Sequence, residues 1–565
     1  MDVESFIKEW WSGSSLDYRQ EVRQWMEKSY TQPFSFWEDL FSYSLKEIGG
    51  FSPTVVLERY DFYSDCIIRH LGHNLKALTL INAEGETKSW TYDQIHSYVD
   101  IQIAYWKGTC PISPGQTVAL LFPYGIEYIV ALMTSLRLGL IVSILPQEDR
   151  FFSQHRLESA LDQYEPNLIV TSPKTALDDK WKRINIDLSL EKTSKTSLES
   201  HSYLAGEMVQ KHLNWDNKLT LIEATRSYLI PLRDAIIALR LNKGTCLARP
   251  LLSMVLEEPF STIMALLVGS NTFYVTDKNL NVLKKESIDV LSVPPHLMQL
   301  WLKDPVGPVA KLKLWYRNPL YGNDTSWKAF SELNNLQKVP ACQMIFDREK
   351  GGMTLFSQPK PLEQLTFLHP TLGSPWKLIK VSGKGQESTQ GFGYFSTEPE
   401  GSSDPSLIIS QVGDAWCISG SSVHLQEGQP YPIQLVEETV KTFNIVQTCM
   451  IVPERHPQHF YNKQFNLLVF VSPKERLSIE QKKAEWTESI LDLIESKVGK
   501  AYLPDRCLFY SIYPKIVKGQ PHRNWIENQY KSGALLLKQN RSIYHTLNLI
   551  RQSIYEVLAY STYHP

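Results

Sequence analysis

The candidate catalytic residues nearest the C-terminus lie in the stretch "YPKIVKGQPHRNWI", residues 513–526. Lys518 and Gln520 are two residues apart, so their side chains would point to the same face of one extended segment. A lysine there could neutralise negative charge that develops on a reacting group. The Gln520 amide can form hydrogen bonds but brings no positive charge.

A second candidate group lies in "LTLIEATRSYLIPLRDAI", where Thr225, Arg226 and Ser227 could contact a phosphate. The stretch contains no glycine and no lysine. A connection without glycine does not easily turn several backbone N–H groups onto one anion. A plain connection between a strand and a helix is therefore the favoured interpretation.

The composition limits the class of protein. A chain of 565 residues is too long for one ordinary core, so we expect two or more domains. The net charge of −2 gives no argument for a nucleic-acid partner or an anionic membrane. The seven cysteines lie far apart without CxxC or Cys/His spacing, which disfavours a zinc site and predicts reduced thiols in a cytoplasm. The most apolar window, "YIVALMTSLRLGLIVSILP", is interrupted by Arg137 and predicts a helix and a buried strand, so we expect no membrane span.

From residue 76 onward, short apolar runs alternate with helical patterns. The runs "TVALLFP" and "LIVSILP" flank the helical pattern "GIEYIVALMTSLRLG", and "HRLESALDQYEP" leads into the strand "NLIVTS". This alternation predicts an α/β fold with parallel-rich sheets in a large N-terminal body.

A smaller α+β unit is predicted after the Gly-, Ser- and Pro-rich stretch "SGKGQESTQGFGYFSTEPEGSSDPS". Its helical patterns are "PIQLVEETVKTF" and "IEQKKAEWTESILDLIESKVG", and its strands are "VQTCMIVPE" and "FNLLVFVSP". Both ends of the chain, residues 1–50 and "SIYHTLNLIRQSIYEVLAY", have amphipathic helical patterns.

Over about residues 50–530, this order of elements resembles the adenylate-forming (AMP-binding) superfamily of acyl- and aryl-CoA synthetases and adenylation domains. "DVLSVPPHLMQLWLK" matches its Val-Pro-Pro helix start, "VGDAW" its Thr-Gly-Asp stretch and "AYLPDRCLFYSIYPKIVKGQPHR" its final segment. "FWEDLFSYSL" looks most like the acetyl-CoA synthetase branch. The resemblance implies a reaction in which a carboxylate attacks the α-phosphate of ATP, with Mg²⁺ bound, and pyrophosphate leaves.

The resemblance also implies roles for single residues. Asp414 matches the aspartate that holds the ribose hydroxyls, although Gly413–Asp414 also fits a simple turn. Glu349 in "MIFDREKGG" stands at the Mg²⁺ position, with Phe346 near the tyrosine of the acyl pocket, although a charged turn is favoured there. Gln520 occupies the position of the catalytic lysine, and Lys518 is a possible substitute. The phosphate loop falls at Thr225, Arg226 and Ser227, without its glycines.

We therefore predict a large AMP-binding-like domain over residues 1–418, a small lid domain over 419–535 and a helical tail over 536–565. The first hypothesis is a cytoplasmic pseudoenzyme, impaired or inactive in adenylation, that binds an acyl or aryl group, a carrier domain or a protein partner in a biosynthetic assembly. The second is an active acyl- or aryl-CoA ligase that uses ATP and Mg²⁺ with Lys518, Asp414 and Glu349. The third is an interaction scaffold whose old pocket is filled. The tail either packs on the small domain or docks a partner.

Overall fold

The computed structural model describes residues 59–537, with gaps at 83, 146–152, 173–180, 190–198, 214–218, 225, 251–256, 306, 308, 310, 319–323, 348–351, 358, 363–368, 371–376, 381–391, 397–406, 413–414, 422–424, 427–428, 456–462, 473–474, 513 and 518–519. The chain divides into two compact units. The first comprises Met1–Glu148, Leu157–Tyr431 and Phe460–Asn462. The second comprises Asp149–Arg156, Pro432–His459 and Lys463–Pro565. The sequence-based boundaries after residues 418 and 535 stay predictions.

The helices follow the apolar periodicity of the sequence. They are α1 (Phe62–Cys66), α2 (Tyr92–Thr109), α3 (Ile126–Arg137), α4 (Gln154–Tyr164), α5 (Arg226–Ala238), α6 (Phe260–Leu267), α7 (Pro295–Lys303), α8 (Asp324–Leu333), α9 (Ile433–Lys441), α10 (Arg476–Lys497) and α11 (Arg523–Lys531). Capping chemistry sets the start of α2, because the Thr91 hydroxyl accepts from the Gln94 N–H while the Gln94 side chain accepts from the Thr91 N–H.

The strands of the first unit form several sheets. They are β1 (Arg59–Tyr60), β2 (Lys76–Ile81), β3 (Thr87–Thr91), β4 (Thr117–Leu121), β5 (Ile141–Ile144), β6 (Leu168–Thr171), β7 (Arg183–Asn185), β8 (Tyr203–Leu204), β9 (Met208–Leu213), β10 (Leu219–Glu223), β11 (Cys246–Pro250), β12 (Asn271–Val275), β13 (Val290–Ser292), β14 (Leu314–Arg317), β15 (Ala341–Asp347), β16 (Gly352–Phe356), β17 (His369–Pro370), β18 (Lys377–Lys380), β19 (Phe392–Ser396), β20 (Leu407–Val412), β21 (Ala415–Ser421), β22 (Leu425–Gln426) and β23 (Gln429–Pro430).

A six-stranded sheet has the order β10-β9-β5-β4-β6-β7, with β5, β4, β6 and β7 parallel to one another. Strands β4 and β6 are buried at every residue, and α3 is almost wholly buried. Burial on both faces explains why these strands read as continuous apolar runs without alternation.

A nine-stranded sheet has the order β17-β16-β15-β14-β13-β11-β12-β2-β3. Its central strands, from β15 to β2, are parallel, and the outer strands β3, β16 and β17 are antiparallel. The predicted α/β fold with parallel-rich sheets is confirmed. Because the central strands run in one direction, their carboxyl ends meet at one edge, where open α/β sheets bind ligands.

The Gly-, Ser- and Pro-rich segment contributes a four-stranded sheet, β18-β19-β20-β21, whose neighbours are all antiparallel. The strands of the second unit are β24 (Val446–Arg455), β25 (Lys463–Val471), β26 (Arg506–Tyr510), β27 (Ile516–Val517) and β28 (Gln520–Pro521). Strand β25 pairs with β24 antiparallel and with β26 parallel. The predicted helices and strands of the small α+β unit are confirmed.

Candidate active site

Two residues separate β10 from α5 at the place that the resemblance assigns to a phosphate loop. Strand β10 ends at Glu223 and α5 begins at Arg226. Ala224 is buried, and its N–H donates to the Glu207 carbonyl at 2.8 Å. Thr225 and the side chains of Arg226 and Ser227 lie outside the described residues. The connection between strand and helix is thus as predicted, and the phosphate contacts of these three residues stay predictions.

In the sequence, each of the two candidate acids falls between two strands that pair antiparallel. Val412 of β20 pairs with Ala415 of β21, on either side of residues 413–414. Asp347 of β15 pairs with Gly352 of β16, on either side of residues 348–351. Asp414 and Glu349 themselves lie outside the described residues. Their assignments to the ribose and to Mg²⁺ therefore stay predictions.

Gln520 lies in the second strand of a short hairpin. Strands β27 and β28 pair antiparallel, with Val517 opposite Gln520. Strand β27 ends at Val517, and Gln520 begins β28. Lys518 itself lies outside the described residues, so its role as a substitute cation stays a prediction.

Arg523, which follows this hairpin, binds a carboxylate of its own unit. Its Nη1 donates to Oε1 of Glu437 in α9 at 2.9 Å, and its Nη2 contacts the same oxygen. That oxygen also accepts from the Ile451 N–H at 2.7 Å. Burial raises the pKa of Glu437, while Arg523 and the Ile451 N–H oppose the rise. The Arg523 guanidinium therefore links α11 to α9.

A buried group of charged residues lies at the carboxyl end of β11. Arg249 is completely buried, and its Nη1 donates to Oε1 of Glu258 at 2.5 Å. Its Nη2 lies 3.5 Å from Oε2 of Glu257. Glu257 and Glu258 are buried as well, immediately before α6. We call Arg249, Glu257 and Glu258 the buried charge cluster.

Hydroxyl groups from neighbouring elements complete the hydrogen bonds of this cluster. Tyr128 of α3 donates to Glu258 Oε2, and Thr262 of α6 donates to Glu258 Oε1, both at 2.8 Å. Tyr316 of β14 donates to Glu257 Oε2 at 2.9 Å. The Tyr274 hydroxyl of β12 lies 2.7 Å from the Thr262 hydroxyl. The cluster thus cross-links β11, β14, α3 and α6 with hydrogen bonds to charged groups, which are the strong class.

Aromatic rings lie beside Tyr316, which donates to the cluster. The Phe346 ring lies 6.4 Å from the Tyr316 ring and 5.8 Å from the Phe260 ring. Gly352 has φ +148° and faces Phe260 so closely that an added Cβ would overlap the ring. These contacts place the chain's own side chains around Phe346, the position that the resemblance aligns with the acyl pocket.

Burial shifts the protonation of one cluster member. It raises the pKa of Glu257 to about 7, although Arg249 and the Tyr316 hydrogen bond oppose the rise. Burial also acts to lower the pKa of Arg249, but Glu258 and Glu257 outweigh it and raise that pKa. The guanidinium therefore stays charged, and Glu257 titrates near neutral pH.

No family model matches the sequence, and no curated protein matches it. The structure, by contrast, matches solved adenylate-forming enzymes over most of its length. The o-succinylbenzoate–CoA synthetase of Bacillus subtilis is similar with a TM-score of 0.65 at 13% identity, covering 83% of this chain and 99% of that one. The chain has the adenylate-forming fold.

Two further solved structures are similar to this chain over most of its length. An amide bond synthetase from Marinactinospora thermotolerans has a TM-score of 0.62 at 12% identity, covering 83% of this chain and 99% of that one. An artificially fused adenylation–PCP di-domain of a nonribosomal peptide synthetase from Klebsiella oxytoca has a TM-score of 0.60 at 12% identity, covering 80% and 94%. At such identities the likeness shows the adenylate-forming fold alone.

Sequence reasoning missed the buried charge cluster. A signal was present, because Glu257 and Glu258 interrupt "LLSMVLEEPFSTIMALLVG", an otherwise apolar stretch. Adjacent acids in such a stretch need a buried cation, and Arg249 lies only eight residues before Glu257. The hydroxyl donors gave no signal, because Tyr128 is 130 residues from Glu258 and Tyr316 is 59 residues from Glu257.

None of the described helices is long and apolar enough to cross a membrane. Within the same part of the chain, no group of three or more His, Cys, Asp or Glu residues is arranged to hold a metal ion. Glu349 lies outside the described residues.

Proposed function

We propose that this chain keeps the adenylate-forming fold but is impaired or inactive in adenylation, and that it acts as a binding component of a biosynthetic assembly. The observation that carries the proposal is the connection between β10 and α5. Only Ala224 and Thr225 lie between the two elements, and the surrounding stretch has no glycine or lysine.

The physical reason concerns the charge of the triphosphate. A phosphate loop binds an anion by turning several backbone N–H groups onto it, often at glycines. Here the Ala224 N–H is already bonded to the Glu207 carbonyl. Gln520 supplies no charge at the position of the family lysine, and Arg523 is bound to Glu437. The losses concern separate groups that would all act on the same phosphates.

The buried charge cluster gives separate support. In an open α/β sheet the ligand crevice lies at the carboxyl ends of the strands. In the described residues, that end of β11, β12 and β14 carries Arg249, Tyr274 and Tyr316, which are fully or almost fully buried by the chain's own side chains. This arrangement favours a protein-binding or carrier-binding role over the uptake of a large acyl or aryl group at this edge.

A carrier domain is the partner class that we propose. The Klebsiella oxytoca structure with the same fold is an adenylation domain fused to a PCP domain. A cytoplasmic location is proposed as well, because the described cysteines Cys66, Cys110, Cys246, Cys342, Cys449 and Cys507 are free and buried, which suits a reducing compartment.

ATP-dependent pyrophosphate exchange with a panel of acyl, aryl and amino acids tests this function. We expect exchange at the level of a blank without acid. Exchange well above the blank that is lost in Asp414→Ala would overturn the proposal.

The alternative is an active acyl- or aryl-CoA ligase with ATP and Mg²⁺. One observation favours it: the paired strands β20 and β21 flank Asp414, so the candidate ribose acid follows a strand as the resemblance requires. In that case Glu349 would hold Mg²⁺ and Lys518 would supply the missing charge. A positive exchange assay that also depends on Lys518 and Glu349 would support the alternative.

A further inference from the structure

The buried charge cluster contains more carboxyl groups than cations. Arg249 is 0% exposed, Glu258 2% and Glu257 8%. If both carboxyls were ionised, the three residues would carry a net charge of −1. Burying an uncompensated charge is costly, so such a group is normally neutralised by a proton or paired with a cation.

The distances identify which carboxyl keeps its charge. Glu258 accepts from Arg249 Nη1 at 2.5 Å, from Tyr128 at 2.8 Å and from Thr262 at 2.8 Å. Glu257 has one short hydrogen bond, from Tyr316 at 2.9 Å, and its nearest guanidinium nitrogen is 3.5 Å away. Three short donors stabilise a carboxylate far better than one, so the proton belongs on Glu257.

The other titratable groups around the cluster do not compensate the charge. The tyrosines that face it are Tyr128 of α3, Tyr228 of α5, Tyr274 of β12 and Tyr316 of β14. Burial raises the pKa of each of them, so all four stay neutral at physiological pH. Among the described groups, Arg249 is the cation that faces both glutamates.

We propose that Glu257 is a buried proton-binding site, and that losing its proton loosens the cross-links that hold β11 and β14 to α6 at the carboxyl end of the nine-stranded sheet. In the protonated form, one carboxylate balances one guanidinium. In the ionised form, a second carboxylate must share the same guanidinium across the longer contact of 3.5 Å. This edge of the sheet then opens more readily.

In the folded chain the pKa of Glu257 is raised from its ordinary value of 4.5 to about 7. This rise sets the sign of the pH dependence of stability. The bound proton makes its full contribution to stability below about pH 4.5, and this contribution is lost as the pH rises through about 7. Above that pH range Glu257 is ionised in both the folded and the unfolded chain, so it causes no further change in stability.

Native-state hydrogen exchange of the full chain tests the proposal, with protection factors measured for peptides of β11 and α6 from pH 5 to pH 8. The matched variant is Glu257→Gln, which fixes the neutral form at nearly constant size. For each peptide, the protection factor of Glu257→Gln is divided by that of the unmodified chain. We expect this ratio to rise by about 30-fold or more between pH 5 and pH 8. A ratio that does not change with pH would overturn the proposal.

Two further variants keep the test decisive. Glu258→Gln leaves Glu257 as the carboxyl group that balances Arg249, so protection should no longer fall as the pH rises; a fall as large as in the unmodified chain would contradict the proposal. Tyr316→Phe removes the hydroxyl donor of Glu257 and should move the pH midpoint upward. If Glu258→Gln fails to fold, difference infrared spectra of the unmodified chain and Glu257→Gln replace it. A protonated-carboxyl band that titrates near neutral pH and is absent from Glu257→Gln is expected, and its persistence in that variant would contradict the proposal.

Discussion

Position 520 carries an amide where the resemblance places the catalytic lysine, and we propose that other groups needed for adenylation are missing as well. One lysine near the α-phosphate supplies about 3 kcal/mol of transition-state stabilisation. That stabilisation requires bound ATP, and the connection between β10 and α5 gives the triphosphate few donors. We therefore expect Gln520→Lys alone to leave adenylate formation at the blank level. Adenylate trapped as a hydroxamate by this single variant would show an intact nucleotide site.

The pair of Arg523 and Glu437 makes a second prediction for single residues. Glu437 is 8% exposed, so Arg523→Gln leaves a buried carboxylate without its cation. We expect a loss of about 1–3 kcal/mol in the stability of the second unit at pH 8. The loss should be smaller at pH 5, because burial already raises the pKa of Glu437 and removing Arg523 raises it further.

Thermal unfolding of Arg523→Gln at the two pH values measures this difference. Lys515→Gln is the matched control, because Lys515 is exposed and lies near the same hairpin. An equal loss at pH 5 and pH 8 would show that Glu437 does not titrate in this range.

Single residues could be predicted from the sequence only where a motif frame made their positions comparable. Gln520 stood out because Pro514, Gly519 and Arg523 keep the frame around it. The partner of Arg523 could not be recognised in the sequence, because Glu437 is 86 residues away and lies in another helix. For the same reason, the roles of Asp414 and Glu349 stay predictions.

At the scale of elements, the start of α5 limits how a phosphate loop can be restored. Tyr228 and Leu229, in its first turns, are 1% and 3% exposed. A Gly/Ser/Thr loop that replaces residues 224–230 removes both side chains from the core, and we expect a loss of at least about 3 kcal/mol in stability. The same loop inserted at position 225 leaves both side chains in place and should preserve the melting temperature more closely.

Melting curves of the two graft designs, each in the Gln520→Lys background, check this expectation. Equal melting temperatures would mean that Tyr228 and Leu229 do not anchor α5. The inserted design is then the fair test of whether adenylation can be recovered.

Strand β16 provides a further prediction through Gly352. Its φ of +148° is unfavourable for other residues, and an added Cβ would overlap the Phe260 ring. We expect Gly352→Ala to cost about 2 kcal/mol or more of stability. Gly72→Ala is the control, because Gly72 has φ +75° and no heavy atom within 4 Å of the added Cβ. Equal costs for the two variants would remove the role of the Phe260 contact.

The elements were predictable where local periodicity was strong. The pattern of α2 and the apolar runs of β4 and β6 give their type directly. Their neighbours in space were not predictable, because β2 pairs with β12 across about two hundred residues of chain. The short strands β18 to β21 lie in Gly-, Ser- and Pro-rich sequence, where only loops and short strands could be expected.

For the molecule as a whole, we propose that the fold can persist without the nucleotide chemistry. The apolar strands and helices that form the hydrophobic cores of the described residues require no phosphate-binding cations. The predicted helices of residues 1–50 and of the tail lie outside the described residues. They stay predictions, together with the docking role of the tail.

The most direct measurement is the binding of ATP to the full chain by isothermal titration calorimetry, with Mg²⁺ present. We expect no saturable heat up to millimolar ATP, because the proposed function leaves the triphosphate with neither a glycine loop nor the family lysine. The control titrates Asp414→Ala under the same conditions. Saturable binding at micromolar ATP that is lost in Asp414→Ala would contradict the proposed function, since it would show a working nucleotide site.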